Sequence, residues 1–190
     1  MRIDIELAKS IVDIFPGDLR DHSYNVCFLS IRLAEYIGYK NERLQNLAIG
    51  ALLHDIGKTE IDQRILNKPD RLTKEEFAIV KKHTVIGSDL IKSFKGNQSI
   101  LPVVRYHHER WDGTGYEHLK ENEIPEPAQI VTIADAFDAM TTNRPYQKIK
   151  TLAETLQELS KNKGQQFSPT LVEKFERLII ERAKKASSHF

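Results

Sequence analysis

The amino-acid sequence predicts an all-α protein, a single-domain bundle of about eight helices over residues 1–190. Three observations predict it. Apolar residues recur at three- and four-residue spacing almost throughout, no segment alternates as a half-buried strand would, and two capping boxes mark helix starts.

Each element has its own signal. Leu7, Ile11, Ile14 and Phe15 form a short first stripe. A second helix carries His22, Val26, Leu29, Leu33 and Tyr36 on one face and stops at Gly38. Asn41 is the expected N-cap of a third, with Leu44, Leu47, Ala48, Ala51 and Leu52 inward and an end near Gly57. Thr73 and Glu76 make a capping box that opens one long helix through Phe77, Val80, His83, Gly87, Leu90 and Phe94. Ser99 is the expected cap of a shorter helix reaching His107, with Pro102 tolerated in its first turn. Residues 109–127, punctuated by glycine and proline, read as a long ordered loop, and loops of that length are often functional. Helix returns over Ala128–Thr141. Thr151 and Glu154 cap a helix that Gly164 ends, and Ser168-Pro169 starts the last one. The tail, 186–190, is expected to fray.

Composition narrows the function. Apolar residues make up 40% and charged residues 29%, enough for one sizeable core and unlike a disordered chain. Basic and acidic residues number 28 and 27, so no charge excess favours DNA, RNA or an anionic membrane. The N-terminus lacks a signal-peptide core, and the small-or-apolar run Ala48–Leu53 is far below the ~20 residues that span a bilayer, so the expectation is a soluble, cytoplasmic protein. A single cysteine, Cys27, excludes an intrachain disulfide and a cysteine-rich zinc site, and reads as packing.

The histidines carry the chemistry. Five short signals stand out: His22 in RDHSYNV, His54-Asp55 in LLHDIGK, His83 in KKHTVIG, His107-His108 heading HHERWDGTGYE, and Asp135 in TIADAFDAM. Adjacent helical residues point about 100° apart, so His54 and Asp55 converge on one ion only from a helix end. The same holds for His107 and His108. Asp135 lies on an apolar face, where a carboxylate is costly unless paired or bound to a cation; Asp138, one turn on, competes for that role, against the plain alternatives of facing solvent or capping a neighbour. A histidine such as His83, taken alone, is more often a hydrogen-bonded core or surface residue, and an isolated HD dipeptide is weak. Five such signals together are not chance. Five histidines and two aspartates exceed one four-coordinate structural zinc, and a bridging carboxylate such as Asp55 suits a binuclear site. Imidazole and carboxylate without thiolate suit iron, manganese, zinc or nickel.

This ordered set, H…HDIGK…H…HHERWDGTGY…D, resembles the HD-GYP subgroup of the HD-domain metal-dependent phosphohydrolases, from about Asp18 to Phe175 and including NRPY and GQQFSP. The resemblance implies a helical bundle around two divalent ions, most often iron or manganese, that hydrolyses cyclic di-GMP to pGpG and in some members on to GMP. Position by position, it implies one ion on His22, His54, Asp55 and Asp135, and another on Asp55, His83, His107 and His108. Asp55 would bridge, with a hydroxide between the ions as nucleophile. Lys58 would contact the scissile phosphate, against the plain alternative of a solvated lysine after a helix end. Arg144 would bind phosphate, and Gly113, Gly115 and Tyr116 would shape the loop against a guanine, glycine being suited to positive φ. Trp111 is expected to pin the loop to the bundle, although it and Tyr106 also suit base stacking. His118 and His189 read as surface residues.

Three departures from the subgroup's pattern matter. Glu117 stands where a proline follows the tyrosine, freeing φ, restoring an N–H and adding negative charge near an anionic substrate. Gln147 replaces a basic residue after Pro145-Tyr146. Asp18 stands one turn before His22, the spacing of a third-ion ligand, but is shorter than the glutamate expected there. Glu117 and Gln147 keep one rival open, an HD hydrolase of another nucleotide or cyclic dinucleotide; a second, a nucleotide-sensing or diguanylate cyclase-binding module without turnover, is opposed by the intact ligand set. A purely structural pair of metals is the plainest alternative.

Overall fold

The computed structural model describes residues 2–142 and 149–187. Among them the chain is helical: α1 (Ile5–Asp13), α2 (Gly17–Tyr36), α3 (Asn41–Leu52), α4 (Gln63–Leu66), α5 (Lys74–Lys81), α6 (His83–Lys92), α7 (Leu101–Tyr106), α8 (Glu126–Thr141), α9 (Leu152–Lys161) and α10 (Pro169–Ser187). Two 3₁₀ turns, Ile56–Glu60 and Glu121–Glu123, complete it. Arg144, Gln147 and His189 lie outside the described residues.

The core forms where α2 packs on α3 and α8, with α7 against α3, α6 and α8. Val26, Leu33, Leu52, Val103, Ile130, Ile133 and Phe175 are buried there. α8 is buried on several sides: Ile130, Val131, Ile133 and Ala134 point in successive directions around the helix and all are buried, as expected of a helix enclosed by neighbours. At Gly50 a Cβ would stand 2.9 Å from Val103 Cβ, so α3 and α7 approach closely only because this position is bare.

Both capping boxes form as the pattern predicts, at Thr73/Glu76 and Thr151/Glu154. Gly38 (φ 96) and Gly164 (φ 73) take the left-handed conformation after α2 and α9, and Pro102 sits in the first turn of α7.

Other boundaries differ. Asn41 is not a cap. It opens α3 with φ 49, and no side chain caps that helix. Ser99 does not cap α7 either, since Ile100 holds that position. Ile14 is 83% exposed and leaves the first stripe, whereas Phe15 is buried, Leu7 and Ile11 pack against the core, and α1 also buries Ala8 and Val12.

The expected long helix over 73–94 breaks between α5 and α6. Lys82 N–H donates to Ile79, three residues back, and the Val80 carbonyl is taken by His83 Nδ1 at 2.6 Å. A backbone acceptor inside the helix has been given to a functional side chain. The stretch expected to end α3 near Gly57 instead unwinds after Leu52 into the 3₁₀ turn.

Candidate metal centre

Five segments deliver the seven histidine and aspartate side chains singled out in the sequence to one buried place. His22 comes from α2, His54 and Asp55 from the turn after α3, His83 from the start of α6, His107 and His108 from the end of α7, and Asp135 from α8. Their ligand atoms fall into two groups, Asp55/His83/His107/His108 and His22/His54/Asp135, each within 4.8 Å. Asp18 is exposed on the first turn of α2 and belongs to neither.

Asp55, 1% exposed, faces both groups. Its Oδ1 is 3.2 Å from His83 Nε2 and 3.7 Å from His107 Nε2; its Oδ2 is 3.3 Å from His54 Nε2 and 3.8 Å from His22 Nε2. His22 Nε2 also lies 3.2 Å from Asp135 Oδ1.

The outer nitrogens fix the inner ones. His54 Nδ1 donates to the Ala51 carbonyl (2.7 Å), His83 Nδ1 to Val80, and His107 Nδ1 to Val103 and Val104 (3.1 Å each). Carbonyls only accept, so these Nδ1 atoms carry a proton and each ring turns its Nε2 inward. His83 Nε2 and His107 Nε2 meet only 3.4 Å apart. Asp55 Oδ1 and His54 Nε2 are buried without a hydrogen-bond partner. Unsatisfied buried acceptors cost about 1–3 kcal/mol each. A cation would satisfy them, so the donor set fits a metal ion.

At His107 and His108 the electrostatics agree. Burial pushes His107 down to about 4, with Asp55 opposing, and holds His108 well below the usual imidazole range; neutral rings are the ligand form. Burial alone would raise Asp55, but Lys58 and His54 outweigh it and hold the carboxyl well below the usual range. Asp135 is likewise lowered against burial, by His22. Burial would depress His22, but hydrogen bonds to Asp135 and Asp138 lift it to about 9.

Asp138 is therefore neither solvent-facing nor a rival of Asp135. It is buried, accepts from His22 Nδ1 at 2.6 Å, and is itself held by Asn25 (2.8 Å) and Thr142 (2.9 Å). Asn25, one turn after His22 on α2, thus supports the same carboxylate. Lys58 Nζ lies 2.5 Å from Asp55 Oδ2 with its side chain a quarter exposed, so it is tethered at the edge of the cluster.

The 109–127 loop lies across one side. Trp111 and Asp112 N–H groups donate to the Gln166 and Gln165 carbonyls, which pins the loop to the α9–α10 turn. Tyr116 sets its ring 4.8 Å from His108, near His83 and Phe77, with Lys81 Nζ 4.7 Å from its centre. Gly113 does need positive φ (79). Gly115 does not; it is bare because a Cβ would stand 2.6 Å from Glu109 Cα. Glu109 is the residue that sequence reasoning missed. Only 2% exposed, it accepts from the N–H groups of Glu117 (2.6 Å) and Leu119 (2.8 Å). Glu117 pairs with Arg105 at 2.7 Å, so its negative charge is compensated. His118 is exposed, and Cys27 is buried with its thiol pushed up to about 12 by burial, as packing requires.

A helical bundle closed around buried imidazoles and carboxylates, without thiolate, defines a helical domain with a site able to bind metal. Its family is equally definite: the chain belongs to the HD domain family, whose model matches residues 8–171. It is 44% identical over 179 residues to a cyclic di-GMP phosphodiesterase of Thermotoga maritima, covering 92% of this chain and 48% of that one. It is 36% identical over 155 residues to 3'3'-cGAMP-specific phosphodiesterase 2 of Vibrio cholerae, covering 80% and 30%. The chain thus spans about half or less of these curated relatives. Among solved structures it resembles Bd1817, an HDG"Y"P protein from Bdellovibrio bacteriovorus, with a TM-score of 0.70 and 25% identity over 92% of this chain and 57% of that one. Among the described residues, no helix is long and apolar enough to cross a membrane.

Proposed function

We propose that this domain is a metal-dependent phosphodiesterase that hydrolyses cyclic di-GMP to pGpG. The observation that carries it is Asp55, whose two oxygens face two separate sets of imidazoles. In this reading His22, His54, Asp55 and Asp135 would hold one ion, and Asp55, His83, His107 and His108 would hold the other. Iron or manganese are the first choices for this donor set, with zinc and nickel as alternatives. Divalent ions bound there supply Lewis-acid polarisation of a phosphodiester and a water acidic enough to attack near neutral pH.

The chain's own residues do the rest. Lys58 offsets charge that builds on the phosphoryl oxygens, from the edge of the cluster where its ammonium stands. Asp138 orients the His22 ring, and the backbone carbonyls of Ala51 and Val80 orient His54 and His83. Gly113, Gly115 and Tyr116 form the loop wall against a nucleobase, and Arg144, outside the described residues, would contact phosphate as the resemblance implies.

Purified protein loaded anaerobically with iron or manganese is expected to convert cyclic di-GMP to pGpG, and Asp55→Ala to lose both turnover and metal. Metal-loaded wild type that leaves cyclic di-GMP intact sinks the proposal. A second reading has support from the relative named as specific for 3'3'-cGAMP: the same site acting on a mixed cyclic dinucleotide. Parallel kcat/KM values for the two substrates separate them.

A further inference from the structure

Glu117 is gripped at two points. Its N–H donates to the buried Glu109 carboxylate at 2.6 Å, and its own carboxylate pairs with Arg105 at 2.7 Å. Glu109 takes Leu119 N–H with its other oxygen, and the bare Cα of Gly115 rests against the Glu109 backbone. The segment from 115 to 119 is therefore held on both sides of Tyr116, whose ring packs on His108. Arg105 lies on α7, the same element that delivers His107 and His108. The pair thus ties the loop tip to the helix that carries two residues of the cluster. A proline at 117 has neither the N–H nor the carboxylate, so both contacts depend on the residue this chain places there.

We propose that Arg105 and Glu117 form a positioning latch that seats Tyr116 against the cluster and so raises the affinity of this site for a cyclic dinucleotide. The proposal rests on the phosphodiesterase reading above. An isolated surface pair contributes little. Here the two side chains are only 26% and 33% exposed, and the pair works together with a hydrogen bond to a buried carboxylate. Both shift the balance toward an ordered loop before substrate arrives, which lowers the entropy lost on binding.

The test compares wild type with Arg105→Gln, Glu117→Gln and the charge-swapped double variant Arg105→Glu/Glu117→Arg, all metal-loaded, on cyclic di-GMP and on bis(p-nitrophenyl) phosphate, a phosphodiester without nucleobases. Each single variant should raise KM for cyclic di-GMP about three- to tenfold, with kcat and small-ester turnover unchanged. The swapped pair should restore KM. Unchanged KM in both single variants overturns the latch, as does an equal fall on both substrates or a double variant no better than the singles. Amide hydrogen exchange at Glu117 and Leu119 gives an activity-free reading. Exchange at these amides should be about tenfold faster in Arg105→Gln than in wild type, and equal rates overturn the latch. If wild type fails to cleave cyclic di-GMP, the substrate assignment falls, and the exchange measurement still decides the latch.

Discussion

Gly57 and His83 are in backbone contact: a Cβ at position 57 would stand 2.0 Å from the His83 carbonyl oxygen and 2.7 Å from the Gly87 nitrogen. Gly87 is close in return but less tight, since its own Cβ would fall 3.2 Å from the Gly57 nitrogen. This crossing of two bare positions sets the His54-Asp55 turn directly on α6 and fixes how far Asp55 stands from His83.

Gly57→Ala is therefore expected to destabilise the fold by about 3 kcal/mol or more, because the obstructing atoms are backbone and cannot rotate away. It should also lower bound metal. Gly17→Ala is the matched control, as nothing lies within 4 Å of the added methyl. Urea unfolding and elemental analysis of both variants check the pair; a Gly57→Ala protein as stable and as metal-rich as the control refutes the argument.

Removing metal should cost stability, because the buried acceptors at Asp55 and His54 are left with no cation to satisfy them. Chelation is expected to lower the thermal midpoint, and added manganese to raise it with concentration, each 100-fold excess over Kd contributing about 2.7 kcal/mol. Asp55→Asn should abolish that concentration dependence. A midpoint indifferent to chelator and to metal contradicts the reading of the cluster.

Asp138→Ala should weaken metal binding about 10- to 100-fold, the usual effect of losing a carboxylate behind a ligating histidine. Asn25→Ala, which removes one of the groups that hold Asp138, should have a smaller effect in the same direction. Competition with a metal-binding dye measures both. Equal affinity in Asp138→Ala would show that His22 needs no such support.

Glu109→Ala strands the N–H groups of Glu117 and Leu119 and should cost about 1–3 kcal/mol. Limited proteolysis should then cut first between 112 and 120. Glu109→Gln keeps one acceptor and should lie between the variant and wild type.

Much of the site was legible in the sequence because ligand chemistry announces itself locally. His83 or the His54-Asp55 pair carried little weight alone, but His22, His54, Asp55, His83, His107, His108 and Asp135 together made five signals in one small domain, and the structure gathers all seven. The capping boxes at Thr73 and Thr151 were equally readable, since a cap is a contact across three residues. The failures share a cause. Asn41 and Ser99 looked like caps by composition, but the path of the incoming chain decides whether a side chain can reach the helix end. Glu109 and Glu117 carried no signal for their roles, because their partners are backbone amides across the loop and an arginine on α7.

The sequence by itself determined the helices, their apolar faces and the ligand types, since these follow from short-range propensity and from the chemistry of single side chains. Only tertiary packing decided distances. The split between α5 and α6, the Gly57–His83 crossing, the Asp138 support behind His22 and the two-sided placement of Asp55 all arise where separate helices meet. There, the volume of a missing Cβ or the reach of one carboxylate sets the geometry, and no local pattern encodes either.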